Sequence, residues 1–324
     1  MHIPDNYLSP STCAVMAAAM VPVWTASVKK VKREITRAKM PQLGIYAALS
    51  FLMMMFNVPL LGGTTGHAVG GTLIAILMGP WAACISVSVA LLVQALLFGD
   101  GGILAFGANC FNMAFILPFV GYYIYKFIKE RTHSVRGEYA AIILGSYFGL
   151  VAASLFAAVE FGIQPLLFHD AAGQALYCPY GLGISIPAMV IPHLAVAGPV
   201  EVLFTLLIVV FVKKVSPDMI EDVPKKKTNA IWGLVLALIC ATPLGLLATG
   251  TAWGEWGTDE ISSLAGYTPR GMSGGPDYSA LLPDYSVSGL PETAGYIVSA
   301  VLGMAILVIV FKLLGDRKKD IRQD

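Results

Sequence analysis

The chain has 324 residues, 56% of them hydrophobic and only 13% charged, about half the charged share of an ordinary soluble domain. That excludes a disordered chain and most soluble enzymes, and a net charge of +1 supplies no long-range field to draw in nucleic acid. The expected solvent is a lipid bilayer. Five cysteines, Cys13, Cys84, Cys110, Cys178 and Cys240, form no C-x-x-C pair, so neither a zinc ribbon nor a disulfide framework is indicated.

The segment Met1-His2-Ile3-Pro4-Asp5 has neither the basic region nor the small-residue cleavage site of a secretory signal. The first apolar run ends in Lys29-Lys30-Val31-Lys32-Arg33, a stop-transfer flank. The expectation is a retained N-terminus, with bulky His2 keeping Met1 in place, so that a free α-amine sits beside an imidazole.

A bilayer core needs roughly 20 apolar residues per helix. By that measure about nine helical segments fall near 10–28, 42–61, 67–79, 81–98, 107–128, 138–162, 184–212, 229–249 and 294–314. The third and fourth, divided only by Gly79-Pro80, are alternatively one kinked element. Basic residues cluster at Lys29–Lys39, Lys126–Arg136, Lys213–Lys227 and Lys312–Arg322, leaving only Arg270 elsewhere. Since cytoplasmic loops collect Lys and Arg, the N-terminus is expected outside and the C-terminus inside. The exported loops are then about 58–66, 99–106, 163–183 and 250–293, the last crowded with acidic residues. The expected architecture is all-α: a polytopic transmembrane bundle of about seven spans in residues 1–215, a cytoplasmic linker at 216–228, and a two-span hairpin in 229–324. The density of Gly, Pro and Asp in 250–293 predicts turns there.

The sharpest chemistry lies at the N-terminus. A free amine, the backbone nitrogen of His2 and its Nδ1 can chelate one ion through fused five- and six-membered rings once the amide loses its proton. Three coplanar nitrogens suit Ni(II) or Cu(II), with Co(II) as a variant. A fourth is offered by His67, in the glycine-rich run Gly62 to Gly71 on the same expected face. Against that reading, Thr64 or Thr65 can simply cap the incoming helix, with His67 only hydrogen-bonding. Asp5, Thr64, Thr65, Asp100, Asn109 and Asn112 are candidates for holding the metal-site loop by hydrogen bonds, with turn and cap roles as the alternative. His193 and Glu201 are weaker intramembrane candidates. His193 can pair with Glu201 or with backbone groups, and helix joining is the expected role. His169 and His133 are expected in loops.

No G-x-x-x-x-G-K-[S/T], H-E-x-x-H or G-x-S-x-G occurs, so ATP hydrolysis, intramembrane metalloproteolysis and serine hydrolysis lose their usual signatures. Uphill movement of a ligand would draw on a partner or an ion gradient. Ala14 and Ala18 form a small-x-x-x-small face on the first span, suited to close approach by another helix.

Several motifs carry a specific resemblance: Met1-His2-Ile3-Pro4-Asp5 with Leu8-Ser9-Pro10, Gly63-Thr64-Thr65-Gly66-His67 with Gly70-Gly71, Gly79-Pro80-Trp81-Ala82-Ala83, and Gln94 to Gly102. Over about residues 1–215 the chain resembles the CbiM/NikM family, the substrate-capture subunits of energy-coupling-factor transporters for cobalt and nickel. The resemblance implies a metal site at Met1, His2 and His67. It implies a membrane coupling subunit and two cytoplasmic ATPases as partners, with Ala14 and Ala18 at the coupling contact. It also implies no permanent cofactor, Ni(II) or Co(II) being cargo. Departures are Asn6 and Tyr7, where Gly and Phe are usual, and Pro199 within His193 to Glu201. The C-terminal hairpin resembles the small accessory subunit sometimes fused to these proteins, although Ser288-Gly289-Leu290-Pro291-Glu292 keeps only part of its Pro-Asp-Gly-Leu-Glu motif. The competing class is a stand-alone secondary metal transporter or channel, which predicts a row of intramembrane carboxylates or histidines.

Overall fold

The computed structural model describes residues 1–36, 39–217, 229–274 and 278–317. It is an all-α helical bundle with one two-stranded ribbon. Helix α1, Pro10–Glu34, starts at Ser9, whose hydroxyl accepts the Thr12 amide at 3.1 Å with Pro10 in the first turn, both standard start signals. It is followed by α2, Met40–Met54, and by strands β1, Val58–Pro59, and β2, Thr65–Gly66, paired antiparallel. Then come α3, Gly71–Met78, and α4, Pro80–Phe98, which are separate helices divided at Gly79. Next are α5, Phe106–Lys129, α6, Val135–Leu167, α7, Leu182–Val215, and α8, Ala230–Leu247. The short α9, Thr258–Ala265, and the long α10, Glu292–Arg317, complete the series.

Each of the nine expected apolar segments therefore contains a helix, although the second ends at Met54, with β1 inside its expected range. Among the described residues seven of them are long and apolar enough to cross a membrane, with α2 shorter and α3 shorter still. The third segment begins later than expected: residues 65–66 are strand, and the helix starts only at Gly71. The acidic C-terminal loop is not all turns, since α9 forms inside it, its first amides met by Glu260 reaching back to Gly257. Of the expected linker, only Ser216 and Pro217 fall among the described residues.

Helix α4 is the centre of the bundle, with 67% of its apolar window buried, whereas α1 is peripheral with 17%. Around α4 pack α1, α2, α3 and α5; α6 packs on α5 and α7; and α10 lies against α2. Four of the five cysteines are buried and all are free. Helices α4, α5 and α7 each contain a π turn, at Gln94–Phe98, Cys110–Ile116 and His193–Ala197. Such widened turns often mark functional regions. The one in α7 also accommodates Pro199, because a proline lacks the amide and crowds the carbonyl four residues back.

Candidate metal centre

The N-terminal tail is folded into the protein. Met1, His2 and Ile3 are all buried, and the tail is held by main-chain and side-chain bonds at each step. Asn109 brackets Ile3, its Oδ1 accepting the Ile3 amide at 2.7 Å and its Nδ2 donating to the Ile3 carbonyl at 3.0 Å. The Gly102 amide donates to the same carbonyl at 2.8 Å. A Cβ on Gly102 would lie 2.4 Å from the Asp5 nitrogen, so only glycine lets the tail run this close. Asp5 accepts the amides of Ile103 at 3.0 Å and Leu104 at 2.7 Å, capping the turn into α5. Asn6 takes a left-handed conformation, φ 70°. Asparagine tolerates this better than most residues, so the replacement of the family's glycine keeps the turn. The Tyr7 hydroxyl, absent from the usual Phe, donates to the Trp256 carbonyl at 2.7 Å, and the Cys178 amide donates to the Tyr7 carbonyl.

Beside the tail, His67 is buried and its ring centroid lies 4.9 Å from that of His2. The His67 Nδ1–H donates to the Ala68 carbonyl at 3.1 Å, which fixes the tautomer and leaves a lone pair on Nε2. Burial, then the nearby His2 and the N-terminal amine, hold the His67 imidazole well below its ordinary pKa, so the ring stays neutral. His2 Nδ1 lies 2.6 Å from Asp100 Oδ1. Since a carboxylate only accepts, Nδ1 carries the proton. Burial would raise the Asp100 carboxyl, but His2, His67 and the Tyr285 hydroxyl together hold it below the carboxylate range. The Nε2 atoms of both histidines are buried without a hydrogen-bond partner. Among the described residues none accepts a hydrogen bond from the His2 amide. The Met1 amine faces Glu255 Oε1 at 3.7 Å. A cavity of about 610 Å³ is lined by His2, His67, Asp100, Glu255, Asp284 and Tyr285.

The loop carrying His67 is anchored from α7. Glu201 accepts the amides of Val69 at 2.7 Å and Gly70 at 3.0 Å, at the start of α3. A carboxylate there neutralises amides that have no intrahelical partner. Neither Thr64 nor Thr65 caps this helix: Thr64 donates to the Thr251 carbonyl at 3.1 Å, and Thr65 sits in β2. His193 and Glu201 do not pair, because the former is bonded through Nδ1 to the Met189 carbonyl at 2.6 Å and the latter is spent on α3. Asn112 lies away from the tail contacts and donates to Glu160 at 2.8 Å. Ala14 and Ala18 are exposed on the outer face of α1.

Sequence reasoning did not single out three site residues: Gln94, Glu255 and Tyr285. Glu255 belonged to the acidic loop, and Tyr285 to a near-repeat with Pro276-Asp277-Tyr278, but neither pattern carries information about a contact made across the bundle. Among the described residues no group of three or more His, Cys, Asp or Glu side chains is arranged as a metal site. Two imidazoles beside a free amine and an amide are a different donor set, half of it main chain.

A family model described as the cobalt uptake substrate-specific transmembrane region matches residues 2–219. The chain belongs to the CbiM family. A second model, for the PDGLE domain, matches residues 227–317 despite the incomplete motif, so this CbiM-family chain carries the accessory-type domain fused to it. It is 51% identical to the "Probable fused nickel transport protein LarMN" of Lactiplantibacillus plantarum, over 96% of this chain and 97% of that one. With the fused nickel transport protein NikMN of Rhodobacter capsulatus it shares 45% identity over 95% of both chains. A crystal structure of a truncated transition metal transporter superposes with a TM-score of 0.63 at 55% identity, covering 66% of this chain and 99% of that one. The CbiM-family chain is thus a multi-pass membrane component of metal transport and not an enzyme.

Proposed function

We propose that this chain captures Ni(II), with Co(II) close behind, as the substrate-binding subunit of an ATP-driven energy-coupling-factor importer. The donors are the Met1 α-amine, the His2 amide nitrogen and Nδ1, and His67 Nε2. The observation that carries this reading is the placement of two buried imidazoles 4.9 Å apart, with the His67 Nε2 unpartnered, beside a buried amine and an unengaged amide. Planar nitrogen donors favour Ni(II) by a small margin. For the chelate to close, His2 Nδ1 releases Asp100 and its proton shifts to the unpartnered Nε2, while the α-amine and the amide each give up one proton to solvent. In this reading residues 1–215 are the capture module, 216–228 a cytoplasmic linker and 229–324 the accessory module. The N-terminus lies outside and the C-terminus inside.

The ATPase-driven partners are a membrane coupling subunit and two cytoplasmic ATPases. The exposed Ala14 and Ala18 on the least enclosed helix suit the coupling contact. A stand-alone secondary transporter would need a row of unengaged intramembrane carboxylates, whereas Glu201 is committed to two amides of the His67 loop, which leaves only Glu160, held on one oxygen by Asn112, in the interior of the described spans. The test is purification of the chain from native membranes, with Ni(II) content and associated proteins measured together. Co-purifying coupling and ATPase subunits support the importer; a metal-loaded chain isolated alone, in a membrane that still takes up Ni(II), refutes it.

A further inference from the structure

A chain of hydrogen bonds runs from the C-terminal domain to the metal-binding tail. The Tyr285 hydroxyl donates to Asp100 Oδ2 at 2.5 Å, and Asp100 Oδ1 accepts the His2 Nδ1–H at 2.6 Å. Gln94 Nε2 donates to both the Tyr285 hydroxyl, at 2.8 Å, and Asp100 Oδ2, at 3.0 Å. Tyr285 is itself firmly placed. Its ring stacks on Phe98 with centroids 4.7 Å apart and meets Tyr296 edge-on at 5.3 Å, and its carbonyl accepts from Ser299 at 2.8 Å. Asp284 and Tyr285 are both left-handed, φ 52° and 59°, conformations that persist in non-glycine residues only where surrounding contacts enforce them. Here they turn the tyrosine inward from an otherwise exposed segment.

The same His2 nitrogen that this relay occupies is the one the proposed chelate requires. We propose that Tyr285 is a positioning residue for metal capture: by fixing the Asp100 carboxylate it latches His2 Nδ1 onto Asp100 in the metal-free protein, and loading opens that latch. The inference rests on the chelate proposed above, and it assigns the fused domain a direct part in setting the loading rate. Tyr285→Phe removes the hydroxyl while keeping the Asp100 charge, the ring and its stacking. The lost restraint is one hydrogen bond to a carboxylate, worth about a tenfold or larger change in rate.

The full chain in detergent, with its histidines ¹⁵N-labelled, provides the test. Ni(II) loading is followed by stopped flow and the His2 Nδ1–H resonance is recorded without metal, for the parent, Tyr285→Phe and Tyr278→Phe. Tyr278 is in the same loop and its hydroxyl bonds the Leu96 carbonyl, so it controls for general loosening. The latch predicts loading faster by about tenfold or more in Tyr285→Phe, at unchanged stoichiometry, with the His2 resonance shifted and Tyr278→Phe like the parent. It is overturned if loading is unchanged, if the His2 resonance is unchanged, or if Tyr278→Phe has the same effect. A parent that binds no Ni(II) refutes the proposed function instead, and the metal-free resonance still decides whether Tyr285 positions His2.

Discussion

Asn109 shows how few side chains hold the donor set. It satisfies both the amide and the carbonyl of Ile3, one residue after His2. Asn109→Ala strands the buried Ile3 amide, while the Ile3 carbonyl keeps the Gly102 amide, a cost of about 1–3 kcal/mol. The expected outcome is a lowered melting temperature and faster Ni(II) dissociation, read on the same purified protein. A pH series separates the donors. Because His67 is held well below its ordinary pKa by burial, its Nε2 remains unprotonated at mildly acidic pH, where a free imidazole would already be charged. Binding nonetheless requires the amine and the amide to give up protons, so affinity falls as pH falls. Calorimetry in buffers of different ionisation enthalpy will show protons released on Ni(II) binding; a titration that releases none contradicts the chelate. At this scale the sequence was informative where chemistry depends on residue type. That His2 and His67 come to lie side by side was legible, as were the hydrogen bonds by which Asp5, Asp100 and Asn109 hold the tail and its loop. Which nitrogen of His2 faces Asp100 was not, because ring orientation depends on Tyr285, 185 positions beyond Asp100.

The elements position these residues through their ends. Helix α3 begins at Gly71, four residues after His67, and Glu201 of α7 accepts the Val69 and Gly70 amides just ahead of it. Glu201→Ala strands two buried amides within three residues of His67, and we expect at least a tenfold loss of Ni(II) affinity, since 1.4 kcal/mol is tenfold and each unsatisfied group costs about 1–3 kcal/mol. Glu201→Gln retains one acceptor oxygen and should lose less; equal affinity in parent and Ala variant contradicts the anchoring role. The nine apolar segments were legible because length and hydropathy alone specify a helix in lipid. The delayed start of α3 was not, since a long-range carboxylate sets it. The π turns leave no periodic signature, and α9 forms in a segment whose Gly, Pro and Asp content argues for turns.

In the whole molecule the tail, the 99–106 loop and the C-terminal loop line one cavity, and the tail is braced through Gly102 to Ile3, Cys178 to Tyr7 and Tyr7 to Trp256. That convergence was only partly legible: the topology grouped these loops on one side, but the contacts of Glu255 and Tyr285 depend on how α10 seats on α2. The seat is narrow at Gly303, where a Cβ would come 2.3 Å from Phe51. Gly303→Val should therefore cost about 1–3 kcal/mol by overpacking, seen as a lower melting temperature with earlier proteolysis of the C-terminal domain. The central claim, that the tail and His67 hold one metal together, is tested most directly by equilibrium Ni(II) titration of three full-length proteins: the parent, His67→Ala, and a variant with one Ala inserted between Met1 and His2. The insertion moves the imidazole to the third position, where the tail alone can supply four nitrogens. The account predicts that His67→Ala abolishes tight binding in the parent background and that the inserted tail binds Ni(II) without help from His67. Undiminished affinity in His67→Ala would contradict it.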